Sequence, residues 1–393
     1  MDEKQIREEA IGRYENGASP KNIYQSLRRS KTWFYKWLKR YHLEGKDWAE
    51  SRPRKPRHIA NKVEPSVEEA VVEMRKQLEG QRYAQVGALN IRWHLEQQGI
   101  KPPSIPTIAR IIRRNNLVRK KITYEPKGTP YPGIKVTHSN HVHQFDIIGP
   151  RYLRHDGRFY AVNIIDAFDR RCSVNPSRRQ TRLDVIRALI RCWQVMGKPI
   201  YLQMDNKLPM RTPARHPRSF SMIIRLCLKL EIQPLFIPIS EPWRNGIIEH
   251  FQNDFDKMFY RPQYFKDFKN LSEKAKHFEL FHNQNHRYST LKGKTPFEKC
   301  SGLNRLLSSG YKLPRRLEIL PGYVHLIRFI RSDRILSIFG ETYSMPGEVE
   351  YEYVKATIDT ENETLKVYHD AKLIEAYKYR FARTVLDLTK IGW

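Results

Sequence analysis

Three acidic residues in the middle of the chain have the chemistry and the positions of metal-ion ligands. Asp146 lies within an apolar run, Asp205 closes a second one, and Glu249 lies near the start of a segment with helical apolar spacing. In a mixed sheet, catalytic groups gather where strands end and helices begin, and carboxylate oxygens suit Mg²⁺ or Mn²⁺. Two such ions about 4 Å apart can act on a phosphodiester, one activating the attacking oxygen and the other stabilising the leaving oxygen. Since the chain contains 42 acidic residues, these three alone are a weak signal.

The periodicity of residues 137–262 predicts a mixed α/β domain that would position these acids. Short apolar runs bounded by turn residues indicate strands, and Asp156-Gly157 is typical of a hairpin turn. Helices are indicated where apolar residues recur every three or four positions, and Gly197 is expected to end the first of them. The expected order is three strands, a helix, a strand, a helix, a strand and a helix, with all the strands in one mixed five-stranded sheet. The strands are expected at residues 143–148, 159–165, 171–175, 199–205 and 234–238, and the helices at 181–196, 220–230 and 245–260.

The charge of the chain indicates an acidic polymer as its partner. Its 393 residues include 71 Lys and Arg against 42 Asp and Glu, a formal net charge of +29, which favours nucleic acid before a membrane surface. No apolar run approaches the ~20 residues of a membrane-spanning helix, and the polar N-terminus lacks the apolar segment of an export signal. The four cysteines are far apart and the first is Cys172, which argues against a disulfide scaffold or a cysteine zinc finger. We therefore expect a soluble, cytoplasmic, nucleoid-associated protein of a bacterial-type cell, with no membrane partner.

Two helical patterns with a basic last helix precede the α/β domain. Residues 28–40 carry six basic residues and no acid, and residues 101–121 carry seven and no acid. Each stretch ends a three-helix pattern, with helix starts expected at Ser19-Pro20 and at Ser104, so both patterns are typical of helix-turn-helix modules. The alternative for either one is an ordinary solvated helix face. The expected DNA contacts are Arg28, Arg29, Lys31, Lys36, Lys39, Arg40, Thr107, Arg110, Arg113, Arg114 and Lys120 of these patterns, Arg52 and Arg54 of the Pro- and Arg-rich linker between them, and Arg244 and Asn245.

The residues around the three acids resemble the signatures of a known enzyme family. Residues 242–249 fit the P-x-x-N-G-x-x-E signature of transposases with a retroviral-integrase-type catalytic core. Asp205-Asn206 resembles the Asp-Asn pair that contains the second catalytic acid of that family. Residues 144–146 resemble the strand, with an aromatic residue, that contains its first catalytic acid. Residues 282–296 resemble the Y-N-x-x-R-x-H-x-x-L-x-x-x-T-P segment that follows the core, with a histidine before the asparagine and a looser order. The resemblance covers roughly residues 136–296.

This resemblance to insertion-sequence transposases implies a ribonuclease-H-like fold and DDE phosphoryl transfer. Asp146, Asp205 and Glu249 would be the catalytic residues and would hold two Mg²⁺ (or Mn²⁺) ions. Water would cut the 3′ ends of a mobile element, and each freed 3′-hydroxyl would then attack target DNA in line, without a covalent enzyme intermediate. Asn245 and Gly246 would shape the turn before Glu249 and bring backbone near the DNA. The expected partner is double-stranded DNA, both transposon ends and target, bound by a homo-oligomer because two ends must be joined in one synapse.

Two departures from the family pattern follow Asp205. Lys207 replaces the usual glycine, and a basic, proline-rich run at residues 207–218 makes the spacing to Glu249 longer than usual. One interpretation is an inserted loop that touches DNA beside the metals, which we favour because the preceding strand and the Glu249 motif are intact. The other is a drifted copy whose second ligand is misplaced. Two further functions stay open: a nuclease of the same fold that cuts without joining, and a catalytically silent DNA-binding regulator derived from a transposase.

The C-terminal third alternates apolar and polar residues between turn signals, which predicts short strands and a small β-barrel. The sequence thus predicts a multidomain chain, with N-terminal all-α helix-turn-helix units, a central α/β ribonuclease-H-like core and a C-terminal small β-barrel. The expected boundaries are 1–50 for the first helix-turn-helix domain, 51–63 for the basic linker, 64–121 for the second helix-turn-helix domain, 122–136 for a second linker, 137–262 for the catalytic core, 263–316 for a helical connector and 317–385 for the barrel.

Overall fold

The computed structural model describes residues 2–52, 63–118, 131–206, 218–302, 304–382 and 385–387. The chain forms two compact units, Met1–Val63 and Glu64–Trp393. Some residues singled out in the sequence lie outside the described part: Arg54, Lys120, Lys207 and the remainder of residues 207–217.

The first unit contains three helices around a small apolar core. The hydroxyl of Ser19 accepts a hydrogen bond from the Asn22 amide (3.4 Å), and the hydroxyl of Ser30 accepts one from the Trp33 amide (3.1 Å). Each bond satisfies an amide that has no partner within its own helix, and the helix start predicted at Ser19 is therefore confirmed. The helices are α1 (Glu3–Glu15), α2 (Pro20–Ser26) and α3 (Lys31–Leu43), and the core consists of Ala10, Ile11, Ile23, Phe34 and Leu38.

A second group of three helices opens the larger unit. Its members are α4 (Pro65–Gly80), α5 (Ala88–Gln97) and α6 (Ile105–Arg114), and they contact one another. The loop after α4 packs against the α/β part of the same unit, because the Tyr83 ring lies 5.3 Å from the ring of Phe278. The predicted pair of three-helix groups is thus present, and the second group is fastened to the rest of its unit by an aromatic contact.

The α/β part has the predicted order of elements. Three antiparallel strands are followed by a helix and then by two strands parallel to the first, each with a helix after it. Gly197 ends the first of these helices with a φ of +94°, a conformation that favours glycine. The elements are β1 (Val142–Leu153), β2 (Gly157–Asp166), β3 (Cys172–Ser177), α7 (Arg182–Met196), β4 (Tyr201–Met204), α8 (Met222–Lys229), β5 (Gln233–Phe236) and α9 (Gly246–Asp254).

The C-terminal strands extend this sheet, which corrects the prediction of a separate small β-barrel. The strands after the core are β6 (Arg316–Leu317), β7 (Tyr323–Phe329), β8 (Ile335–Ile338), β9 (Glu341–Ser344), β10 (Tyr353–Asp359), β11 (Thr364–His369), β12 (Lys372–Lys378) and β13 (Leu386–Asp387). Of these, β7, β10, β11 and β12 join the sheet, whereas β6 pairs with β13 and β8 with β9 in two separate two-stranded sheets. The strands of one 9-stranded sheet follow the order β12-β11-β10-β7-β5-β4-β1-β2-β3. β7 runs parallel to β5, with Leu235 opposite His325, and thereby pairs the backbone groups that an edge strand would expose. The five expected strands, β5-β4-β1-β2-β3, are therefore one part of the 9-stranded sheet, and four C-terminal strands continue it beyond β5.

Alternation along β1 sorts its side chains onto the two faces of the sheet. Phe145 and Ile147 belong to the apolar core that includes α7 and α8. Ile148 belongs to a second core, which includes residues of α9. Gln144 and Asp146 share the parity of Ile148, so they lie on the α9 face of the sheet.

The connector after the core is helical only in part, which corrects the prediction for residues 263–316. A π-helical segment (Phe255–Tyr260) follows α9, and α10 (Phe268–Asn285) then packs against β3. α11 (Pro296–Lys299) is a single turn. Glycines and prolines interrupt the helical pattern in this region, and such residues favour turns over helix. No helix in the described ranges is long and apolar enough to cross a membrane.

Burial keeps two histidines near the end of α10 neutral. His282 and His286 are 0% and 1% exposed, and burial lowers the pKa of both imidazoles. The two rings lie 4.7 Å apart, so a proton on either one would also repel a proton on the other. Nε2 of His286 donates a hydrogen bond to the carbonyl oxygen of Tyr83 (2.8 Å), which fastens the loop after α4 to α10.

We expect the larger unit to lose stability as the pH falls from 7 to 5. An unfolded histidine titrates near pH 6.5, whereas burial lowers the folded pKa of His282 and His286. Stability from their neutral forms is therefore fully present above the unfolded pKa and is lost as the pH falls toward the folded one. Urea unfolding at both pH values measures the loss. His286→Gln should reduce the pH dependence, whereas His155→Gln, at an exposed position, should leave it unchanged; equal wild-type stability at the two pH values would contradict the assignment.

Candidate active site

The start of α9 is fastened to two neighbouring strands by the side chain of Asn245. This side chain is 3% exposed. Its Nδ2 donates to the carbonyl oxygen of Phe145 on β1 (3.3 Å), and its Oδ1 accepts a hydrogen bond from Nε2 of Gln203 on β4 (3.1 Å). The amide of Ile248 in turn donates to Oε1 of Gln144 on β1 (3.1 Å). The first turn of α9 is therefore held over the junction of β1 and β4.

The pairing of β1 with β4 brings the first two acids to the same face of the sheet. The strands are parallel, with Gln144 opposite Gln203, and both glutamines bond to the start of α9. Asp146 and Asp205 each follow their glutamine by two residues, a spacing that keeps side chains on one face of an extended chain. Both carboxylates are half-buried. Asp146 therefore faces α9 within β1, and Asp205, directly after β4, has the same position in the alternation.

The third acid lies on the helix that covers this face. Nε2 of Gln252 donates to Oδ2 of Asp146 (2.9 Å), which brings this side of α9 over β1. Glu249 precedes Gln252 by three residues, so the two share one side of α9. Glu249 is half-buried. Sequence reasoning missed Gln252, although its position one turn after the signature glutamate could have indicated it.

The three carboxylates have the donor chemistry for a divalent cation, but they are not gathered into a formed cluster. In the described part of the chain, no group of three or more His, Cys, Asp or Glu side chains is arranged to hold a metal ion. Oδ1 of Asp146 accepts the amide hydrogen of Ile147 (2.7 Å), and its Oδ2 accepts from Gln252. Half-buried oxygen donors on one face suit Mg²⁺ or Mn²⁺. A hydrogen bond to Oδ2 is compatible with ligation, because each carboxylate oxygen has two lone pairs.

Arg244, expected at the DNA, is engaged within the protein. Its Nε donates to Oε2 of Glu241 (2.9 Å), and its Nη2 donates to the hydroxyl of Tyr353 on β10 (3.0 Å). That hydroxyl donates to the Glu241 carboxylate (2.8 Å), and burial raises the pKa of Tyr353, which keeps the hydroxyl protonated. The ring of Tyr131 lies 4.2 Å from the guanidinium. Asn245 is buried, and its side-chain bonds described above are internal, whereas its contact with DNA stays a prediction.

The other expected DNA contacts that the structure describes belong to the two helical groups and to Arg52, which follows the first group. In the first group, an ion pair at 2.6 Å joins Arg29 to Glu3, and two more at 3.0 and 2.6 Å join Arg40 and Arg52 to Glu44. In the second, Arg114 pairs with Glu68, and Nη2 of Arg110 donates to the Thr107 hydroxyl (3.1 Å). Exposed positions are held by Arg28, Lys31, Lys36, Lys39 and Arg113.

Comparison with known proteins finds a helix-turn-helix region and low-scoring structural matches. Residues 9–69 match the winged helix-turn helix family. The dimeric form of the HTLV-2 integrase catalytic core domain in complex with magnesium is 20% identical, with a TM-score of 0.30 over 41% of this chain and 97% of that one. The trimeric form is 17% identical, with a TM-score of 0.31 over 42% and 99%. A simian T-cell lymphotropic virus intasome in complex with PP2A regulatory subunit B56 gamma is 12% identical, with a TM-score of 0.35 over 75% and 93%. TM-scores below 0.5 do not establish a shared fold.

Replacing Asn245 by alanine should destabilise the larger unit by about 1–3 kcal/mol, since the buried Gln203 amide and Phe145 carbonyl would lose a partner. The free energy of unfolding in urea measures the effect. Asn285→Ala is the matched control, because Asn285 also donates to a backbone carbonyl but at an exposed position, and a change within about 0.5 kcal/mol is expected there. Equal effects of the two substitutions would show that Asn245 does not hold α9 in place.

Proposed function

We propose that this chain is a DNA transposase of the DDE type. It binds the ends of a mobile element, hydrolyses the phosphodiester at their 3′ ends and joins these ends to target DNA. The observation that carries the proposal is the hydrogen-bonded junction of β1, β4 and α9, because β1 contains Asp146, α9 contains Glu249 and Asp205 directly follows β4. The signature residues 242–249 and the winged helix-turn-helix match at residues 9–69 support it further.

In this proposal the three carboxylates hold two divalent cations at the edge of the sheet. When bound, such ions activate the attacking oxygen and stabilise the leaving oxygen of a phosphodiester. Asn245 fixes the position of Glu249 relative to β1 and β4, because its side chain bonds the start of α9 to both strands. Gln252 orients the Asp146 carboxylate through the hydrogen bond that its amide donates to Oδ2. No protein nucleophile is required.

DNA recognition in the proposal belongs to the helical groups. On α3 the exposed residues Lys36 and Lys39 and the hydroxyl of Thr32 follow one side of the helix, and the family match includes this helix. Such a face can enter the major groove while its lysines contact phosphates. The protein works as a homo-oligomer in this account, since two ends must be brought together before they are joined.

One observation favours a different candidate, a DNA-binding protein without catalytic activity. Asp146, Asp205 and Glu249 are not arranged as a formed metal site, and the described residues contain no other such cluster of His, Cys, Asp or Glu. If the three carboxylates do not gather around Mg²⁺, the chain binds DNA ends and does not cut them. The two candidates therefore differ in their response to the metal.

Substitution of the second or third acid should abolish strand cleavage and leave end binding intact. Asp205→Asn and Glu249→Gln remove ligand charge, and the loss of several kcal/mol of transition-state stabilisation corresponds to about a thousandfold in rate. Cleavage and joining of labelled DNA carrying the repeats that flank the gene are measured in Mg²⁺. Glu273→Gln, at an exposed position of α10, is the matched control and should cleave like wild type. Cleavage that survives both acid substitutions would refute the assignment, and end binding without any wild-type cleavage would favour the silent candidate.

DNA affinity should depend steeply on salt, and Lys36 should account for about one phosphate contact. We expect Lys36→Gln to weaken binding of all sequences and to reduce the slope of log K against log salt by about one unit. Fluorescence anisotropy of a labelled duplex at several salt concentrations gives both values. Lys4→Gln serves as the control, because Lys4 is paired with Glu50 at 2.5 Å. An unchanged slope for Lys36→Gln would remove α3 from the interface.

A further inference from the structure

The C-terminal strands reach the segment that carries the second acid through a buried arginine. Arg328 on β7 is 6% exposed. Its Nη2 donates to Oδ1 of Asn206 (3.0 Å), the residue that follows Asp205. Its Nη1 donates to the carbonyl oxygen of Ile237 (3.1 Å), and Nδ2 of Asn206 donates to that same carbonyl (2.7 Å). Three hydrogen bonds therefore join Arg328, Asn206 and the carbonyl of Ile237, the residue after β5, to one another.

A second link joins β10 to the turn that leads into α9. The hydroxyl of Tyr353 accepts a hydrogen bond from Arg244 and donates one to Glu241. Both of these residues precede Asn245, whose side chain fastens α9 to the sheet. The segment after β4, which contains Asp205, is thus bonded to β7, and the turn before Glu249 is bonded to β10. Both of these strands lie outside the predicted core.

We propose that strands β7 and β10 position the catalytic carboxylates. Arg328 fixes the backbone at Asp205 through Asn206, and Tyr353 fixes the turn before Glu249 through Arg244. This inference rests on the proposed function, because it assigns a role to residues that contact the segments containing the same carboxylates. Arg328 is a positioning residue and not a DNA contact, since its guanidinium is buried and bonded to protein oxygens. Hydrogen bonds from a charged donor are short, directional and about twice as strong as neutral ones, which suits them to this role.

The test measures cation binding and turnover separately. Titration calorimetry of the full chain with Mn²⁺ should give about tenfold weaker binding for Arg328→Lys and for Asn206→Ala, since partners behind metal ligands typically contribute 10–100-fold. A lysine ammonium lacks the planar fork that serves Asn206 and Ile237 together. Cleavage should show a lower kcat that recovers at higher Mg²⁺, with unchanged affinity for DNA ends. Both substitutions break the bond between Arg328 and Asn206. The Mn²⁺ affinity of the double variant should therefore equal that of the weaker-binding single variant.

Arg334→Lys is the matched control, because Arg334 follows the same strand but is exposed and paired with Glu350 (3.1 Å). Its Mn²⁺ affinity and turnover should equal those of wild type. If Arg328→Lys unfolds the protein, Asn206→Ala and Tyr353→Phe decide the matter. Folded variants with wild-type Mn²⁺ affinity and kcat would overturn the inference while the proposed function stands. A wild-type chain that neither binds Mn²⁺ nor cleaves DNA would refute the proposed function and this inference with it.

Discussion

The amide of Asn245 finds partners for both of its ends only where β1 and β4 lie side by side and α9 begins above them. Its Nδ2 reaches a carbonyl of β1 and its Oδ1 accepts from a glutamine of β4, in a place with 3% exposure. A buried amide without these partners would cost about 1–3 kcal/mol, so any displacement of α9 from the two strands is opposed. The position of Glu249 relative to Asp146 and Asp205 depends on this bond.

The sheet supplies the other half of the arrangement through simple alternation. Phe145 of β1 and Leu202 of β4 belong to the apolar core that includes α7 and α8, and the residues between such positions face α9. Polar groups on that second face are then bonded to α9, as Gln144 is to the Ile248 amide. One face of each strand stabilises the fold, and the other is free for chemistry at its end.

Local pattern was enough to predict most elements of the α/β part, including the end of α7 at Gly197. It could not predict that β7 pairs with β5, because the pairing of Leu235 with His325 joins segments far apart in the chain and has no local signal. The same alternation in the tail fits a barrel and a sheet extension equally well. The acids could be singled out from residues 242–249 and their family resemblance, whereas the burial of Asn245 depends on tertiary contacts.

The residues that sequence reasoning missed all act through such tertiary contacts. Gln252 bonds to Asp146 across the space between α9 and β1, and Arg328 reaches Asn206 from a strand outside the expected core. A glutamine on a helix or an arginine on a strand has many ordinary roles, so neither is conspicuous in the sequence. Gln252 contacts one of the three acids directly, and Arg328 contacts the residue after another; only the fold reveals these partners.

The central claim is that Asp146, Asp205 and Glu249 gather around divalent cations, and the most direct measurement is a crystal structure of the protein grown with Mn²⁺ and recorded at the manganese absorption edge. The account predicts anomalous density beside the carboxylates of Asp146, Asp205 and Glu249. Manganese bound only elsewhere, or no anomalous density, would contradict it.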